Sequence, residues 1–203
     1  MENKKQKSTI IKDAVILFLI TVIAGALLGF INQLTEEPIA AAQKKAKDEA
    51  YQLVMEQAAA FEEDSALTEK MNAATPEGAV FSEIMTAKDA NGAPVGYVMS
   101  VIAKEGYGGD ITLTLGVDMT GTITAIEVIS QSETAGLGAN CTQDSFKGNF
   151  KGVKSDDTLK VTKDGGTIDA ISGATITSRA VTKAVDAGYR FIVDNALNGV
   201  AAE

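Results

Sequence analysis

A chain of 203 residues can hold one fair-sized globular domain plus accessory segments. Its 27 acidic against 18 basic residues give a formal charge of -9, and the folded part has neither a basic stripe nor arginines interleaved with aromatics, which excludes nucleic acid as a partner. There is no histidine and one cysteine, Cys141, read as buried and unreactive, so histidine catalysis, histidine metal or haem ligation, cysteine-held clusters and internal disulfides are excluded; any redox chemistry has to rest on a cofactor of another kind.

Ala14 to Ile31 are 18 consecutive uncharged, almost wholly apolar positions. At helical rise they span about 27 Å, close to a hydrocarbon core, which predicts a transmembrane helix. A cleaved signal peptide is the competing reading, with small residues at Ala40-Ala-Ala42, but the apolar run exceeds a usual signal core. Gly25 and Gly29 form a small-xxx-small pair. Lys4, Lys5, Lys7 and Lys12 precede the span, while Glu36 and Glu37 come first after it, which puts the N-terminus in the cytoplasm and the remainder across the membrane.

Thr35-Glu-Glu-Pro38 has the capping residue, acidic turn and early proline of a new helix, predicted to run to about Glu62 as a solvated stalk. Asp64 to Gly78 is polar and reads as a linker. The expected organisation is a tail over 1–13, a membrane span over 14–31, stalk and linker over 32–78, and an extracytoplasmic domain over 79–203.

From Ala79 the hydrophobic period becomes two. Val80 to Ala87 and Pro94 to Ala103 flank an Asn91-Gly92 hairpin signal. Ile111, Leu113, Leu115 and Val117 alternate with Thr112, Thr114 and Gly116, predicting a half-buried strand that turns at Met119-Thr-Gly121 into Thr122 to Ile129. Helix-free connections imply an antiparallel meander. Leu159-Lys-Val161 is a candidate edge strand. Thr177 to Leu197 predicts a helix, with Ser178, Thr182, Asp186, Arg190 and Asp194 as a polar row and Val181, Ala184, Val185, Gly188, Ile192 and Ala196 as the apolar face, stopping at Asn198-Gly199. The expected class is α+β, an antiparallel sheet with flanking helices.

Just before that helix stands Asp169-Ala-Ile-Ser-Gly-Ala-Thr175, a small-residue turn that delivers a hydroxyl to a helix N-terminus. Free N–H groups and the positive end of the helix dipole make this a phosphate-binding geometry, although a capped helix after a plain loop has the same letters. Gly106-Tyr-Gly-Gly109 and Ser132-Glu-Thr-Ala-Gly-Leu-Gly138 lie at strand ends. Such glycines mean either turns or a ligand close against the backbone, with Glu133 and Thr134 offering an acceptor and a hydroxyl to a polar heterocycle.

Ser-Glu-Thr-Ala-Gly-Leu-Gly followed by Asp-Ala-Ile-Ser-Gly-Ala-Thr-Ile-Thr-Ser resembles the covalent FMN-binding domain family. That domain occurs in the G subunit of the Rnf ferredoxin:NAD oxidoreductase and the C subunit of the sodium-pumping NADH:quinone oxidoreductase. The resemblance extends to the basic N-terminus, single span, stalk and outer domain; Ala135 departs from the usual proline. It implies a flavin transferase that moves the FMN moiety of FAD onto the hydroxyl of Thr175, presented by Ser172, Gly173 and Ala174. It further implies that Glu133, Thr134 and the Gly136-Leu137-Gly138 backbone line the isoalloxazine. Thr177 and Ser178 are alternative acceptors or helix caps, and Arg179 either pairs with the phosphate or is solvated.

The implied function is an electron relay within an Rnf complex in the bacterial or archaeal plasma membrane, coupled to ion transport. Its partners are the other Rnf subunits. The alternatives are the quinone-reductase C subunit and a membrane-anchored scaffold without redox activity.

Overall fold

The computed structural model describes residues 2–154 and 158–198, without the side chains of 2–11 and 40. The chain divides into two units, Met1–Lys45 and Ala46–Glu203. Helix α1, Glu2–Val54, supplies all of the described part of the first. It is one continuous helix, and the predicted second start at Thr35 does not occur. The Thr35 hydroxyl donates to the carbonyls of Ile31 (2.9 Å) and Asn32 (3.2 Å), so it bonds back into the preceding turn and caps nothing. Pro38 sits inside the helix, where it lacks the N–H that would bond back to position 34. Leu17, Phe18, Leu28 and Phe30 are each about two-thirds exposed in this unit. An apolar helix open on all sides is a stable arrangement in a bilayer, and α1 is long and apolar enough to cross one.

In the second unit α1 ends at Val54, short of the expected Glu62, and the segment read as stalk and linker holds two further elements. These are strand β1, Ala60–Glu63, and helix α2, Ser65–Ala73, which is capped by Asp64 accepting from the N–H groups of Ala66 and Leu67. Strands β2 (Ala79–Lys88), β3 (Pro94–Ala103), β4 (Ile111–Asp118) and β5 (Ile123–Ser130) follow. The sheet is an antiparallel meander in the order β1-β2-β3-β4-β5, as the short connections imply. The Asn91-Gly92 loop turns β2 into β3, with Gly92 at φ 82 and Asp89 accepting from the N–H groups of Asn91 and Ala93.

One face of the sheet carries the main core. Met99, Val101, Leu113 and Leu115 pack beneath Val181, Ala184, Val185 and Ile192 of helix α4, Thr175–Ile192, which continues as a π-turn over Val193–Leu197. Gly188 lets α4 approach closely, since a Cβ there would lie 2.6 Å from Leu115 Cδ2. Of the expected stop, Asn198 is described and Gly199 lies outside the described residues. Between β5 and α4 come a 3-10 turn (Gly138–Thr142), the single-turn helix α3 (Asp144–Lys147) and a second turn (Gly148–Phe150). They bury Cys141, Phe146 and Phe150, the two rings meeting edge to face with centroids 5.6 Å apart.

The other face is covered as well, which the sequence pattern did not show. Tyr51, Val54, Met55 and Ala58 from the end of α1 pack on Ala87 and Val98. Tyr51 donates its phenol hydrogen to Glu83, which also pairs with Lys47, and the Tyr51 oxygen lies 3.2 Å from Ser100 Oγ, itself 3.3 Å from Thr114 Oγ1. Burial, then the hydrogen bond to Glu83, push the Tyr51 phenol far above its ordinary range, so it stays a neutral donor. Thr114, predicted on a solvated face, is therefore wholly buried. Gly116 makes room for the end of α1: a Cβ there would stand 2.5 Å from the Val54 carbonyl oxygen, which also accepts from the Thr124 hydroxyl.

Leu159-Lys-Val161 does not join the sheet. A single parallel bridge pairs Val161 with Ile168, and the segment folds back on itself because Gly166 admits the Lys160 carbonyl, which a Cβ would meet at 2.0 Å. This strap lies along the predicted polar row of α4, of which Ser178, Thr182 and Asp186 are buried, and Asp186 accepts from the Leu159 N–H at 2.7 Å.

Gly116→Val should force the end of α1 off the sheet and destabilise the domain by about 1–3 kcal/mol. The check is the urea unfolding midpoint followed by near-UV circular dichroism of the tyrosines.

Candidate functional site

The turn before α4 is built by its own backbone. Gly173 has φ 74, a left-handed conformation that suits glycine, and the Ala174 N–H bonds to the Ile171 carbonyl at 3.1 Å. The Ser178 hydroxyl accepts from the Ile171 N–H and donates to the Ala174 carbonyl, both at 2.9 Å, stapling the turn to the first turn of the helix. No side chain caps α4 at Ala174, so the cap position leaves its opening N–H groups at the positive end of the helix dipole without a side-chain acceptor. Thr175 is the first helical residue, two positions before the predicted start, and is partly exposed. Its hydroxyl accepts from Lys163 Nζ at 2.8 Å.

Thr177 and Ser178 are 1% and 0% exposed. Thr177 serves no cap: its hydroxyl donates to Glu133 Oε2 at 2.5 Å, while Glu133 Oε1 accepts from the Gly108 N–H at 2.7 Å. Glu133 is thus a buried strut joining three segments. The two glycine clusters fit it closely. A Cβ on Gly138 would stand 2.4 Å from Glu133 Oε2 and 2.6 Å from Thr177 Oγ1, and one on Gly106 2.9 Å from Glu133 Oε1. Gly108 in turn packs on the Ser132 carbonyl, which a Cβ would meet at 2.2 Å. Several of these glycines are therefore required by contacts within the chain.

A cavity of about 510 Å³ opens beside this turn. Of the predicted residues it brings together Glu133, Thr134, Leu137, Gly138, Gly173, Ala174, Thr175 and Thr177. Two fall outside it. Ser172 is exposed and borders a smaller depression with Asn140 and Asp169, and Gly136 serves its own turn at φ 77. The sequence reading missed Tyr107 and Ile176, which line the cavity and are 71% and 52% exposed. Their signal was present in one case only, as the aromatic among the glycines of 106–109. With Leu137 they give the cavity exposed apolar walls, suited to the faces of a flat aromatic ring, beside a helix N-terminus suited to an anion.

Arg179 does not reach towards this opening. It forms a two-pronged pair with Asp164, Nε to Oδ2 at 2.7 Å and the terminal nitrogen to Oδ1 at 2.6 Å. The Arg179 hydrogen bonds hold the Asp164 carboxyl below its ordinary value, with Lys160 and Lys163 acting in the same direction. Cys141 is buried, and burial followed by the Glu133 charge pushes its thiol up to about 11, which leaves it unreactive at neutral pH.

Residues 106–190 match the FMN-binding domain family, which makes this a flavin-binding class of protein, and residues 1–54 match the RnfG N-terminal region. The G subunit of an ion-translocating oxidoreductase complex from Methanosarcina acetivorans is 34% identical over 193 residues, covering 95% of this chain and 97% of that one. The chain belongs to this family of G subunits. The G subunit of a proton-translocating ferredoxin:NAD(+) oxidoreductase complex from Clostridium ljungdahlii is 47% identical over 94 residues, 45% of this chain and 50% of the relative. The Shewanella amazonensis relative, again a G subunit, is likewise matched over half its length, at 38% identity. The crystal structure of Shewanella oneidensis NqrC shares the fold, with TM-score 0.51 and 24% identity over 60% of this chain and 62% of that one.

Two outcomes follow from this geometry. Thr177→Val removes a donor from a buried carboxylate and should cost about 1.5–3 kcal/mol of stability, read from denaturant midpoints. Asp164 has a depressed folded pKa, so its pairing is intact above the ordinary carboxylate value and lost only as pH falls through the lower folded value. Carbon-detected NMR titration should place its midpoint below about 3.9, and Arg179→Ala should move it up.

Proposed function

We propose that this chain is the electron-relay subunit of a membrane-bound Rnf-type ferredoxin:NAD oxidoreductase, and that it carries FMN joined by a phosphoester to Thr175. The observation that carries the reading is the sorting of three neighbouring hydroxyls. Thr175 stands partly exposed at the cavity mouth, whereas Thr177 and Ser178 are buried and hydrogen-bonded. The names of the relatives, subunits of ion-translocating oxidoreductase complexes, supply the setting.

The bound flavin would supply reversible uptake of one or two electrons, chemistry that a chain without histidine and with one buried cysteine does not offer from its own side chains. The chain's part is to hold and orient. The α4 N-terminus favours the single negative charge of a phosphodiester by about 0.3–1 kcal/mol. Tyr107, Leu137 and Ile176 present apolar walls to the ring, and the exposed Thr134 offers a polar contact at the rim. A covalent tether keeps the cofactor at high effective concentration on a domain outside the cytoplasm.

On this reading a flavin transferase installs the group, and the other complex subunits donate and accept its electrons. Lys4, Lys5, Lys7 and Lys12 mark the cytoplasmic end, and the folded unit, which begins at Ala46 and not at Ala79 as expected, stands on the outer side.

Thr175→Ala, produced in a host that contains the transferase, should lose all flavin fluorescence in a denaturing gel and the mass of one FMN. A wild-type band without fluorescence would defeat the relay reading. Fluorescence retained by Thr175→Ala would move the attachment elsewhere.

A further inference from the structure

Lys163 is the feature that the flavin reading leaves unused. It sits at the tip of the strap, in the turn Thr162–Asp164 that closes through Gly165 at φ 83. Among the described residues it is the one cation bonded to the Thr175 hydroxyl, at 2.8 Å. Two neighbouring cations are engaged elsewhere: Arg179 grips Asp164, and Lys183 pairs with Glu77 and Glu105.

The contact is held by more than one lysine side chain. Adjacent strap residues grip successive turns of one helix face, Lys163 on Thr175 and Asp164 on Arg179, four positions on. The base of the strap is pinned by the Thr162 N–H on the Ile168 carbonyl (2.8 Å), the Ile168 N–H on the Lys160 carbonyl (3.2 Å) and the Leu159 N–H on buried Asp186 (2.7 Å). The strap backbone is thus fixed in place, and from it the exposed Lys163 side chain reaches the Thr175 oxygen.

We propose that Lys163 holds the Thr175 oxygen for phosphoryl transfer and then remains as the counter-ion of the phosphodiester, an inference that rests on Thr175 being the acceptor. In the transfer, Thr175 Oγ1 forms a bond to the flavin-side phosphorus of FAD. The pyrophosphate P–O bond breaks, AMP leaves with that bond pair, and the hydroxyl proton is released to the transferase or solvent. Lys163 donates to one lone pair of the oxygen, leaving the other for attack. Because the phosphoryl oxygens arrive within a bond or two of that atom, the same ammonium faces the charge that builds on them.

The test is flavin transfer in vitro to the purified full-length chain in detergent, with a flavin transferase and FAD, followed by in-gel fluorescence and intact mass. Lys163→Met should lower the kcat of transfer about tenfold, about 1.4 kcal/mol, with the KM for the acceptor chain unchanged, and Lys163→Arg should recover most of it. Circular dichroism confirms that the variant is folded, and Lys163→Gln replaces it if it is not. Wild-type kcat in Lys163→Met, a loss confined to KM, or no recovery with arginine would each overturn the proposal. Thr175→Ala run alongside separates the two readings. No transfer to Thr175→Ala with wild-type transfer to Lys163→Met removes the lysine's role alone, whereas transfer to Thr175→Ala removes the acceptor assignment.

Discussion

A carboxylate enclosed by its own chain organises the cavity. Glu133 accepts from the Gly108 N–H on one oxygen and from the Thr177 hydroxyl on the other, so one buried charge ties the loop after β3, the loop after β5 and the first turn of α4. Each bond to a buried carboxylate is worth more than a neutral one, and removing a donor exposes the cost of the unpaired charge. The glycines follow from this constraint: at 106 and 138 a side chain would overlap the carboxylate, and at 138 the threonine hydroxyl too. The cavity wall is thus built around a residue that the sequence reading had assigned to the ligand.

The same economy of space explains the polar row of α4. Ser178, Thr182 and Asp186 form a polar row because their spacing is that of one helix face. The strap covers that face, and each residue is engaged locally. Ser178 staples the preceding turn, Thr182 bonds back to the Ser178 carbonyl at 2.7 Å, and Asp186 receives the Leu159 N–H. A polar face can be buried when each of its groups finds a partner, here in the preceding turn, in the helix itself or in the covering strap.

What was legible in the sequence was local. Period-two alternation located β2 to β5 within a residue or so, because each strand's pattern is carried by its own letters. The turn at Asp169 to Thr175 was legible because small residues before a helical period have few other uses. Strand β1 was missed because Ala-Phe-Glu-Glu has no pattern alone; it exists through pairing with β2, where Ala60 faces Lys88. Thr114 was misplaced because its burial depends on a helix 60 positions earlier in the chain. Lys163 escaped because a loop of a dozen residues brings it back to Thr175, and no periodicity describes such a return.

Three hydroxyls within four residues pose a problem of selection for any modifying enzyme, and burial resolves it. A motif of small residues does not itself distinguish Thr175 from Thr177 or Ser178, since all have the same functional group. In the folded domain the last two are consumed by Glu133, Ile171 and Ala174, and both are closed to solvent. Thr175 keeps an accessible oxygen, and its described contact comes from a lysine that leaves a lone pair free. On the proposed reading, site choice is therefore a property of the folded state. An unfolded chain would present the hydroxyls nearly alike, and the fold that distinguishes them also forms the cavity proposed to receive the flavin.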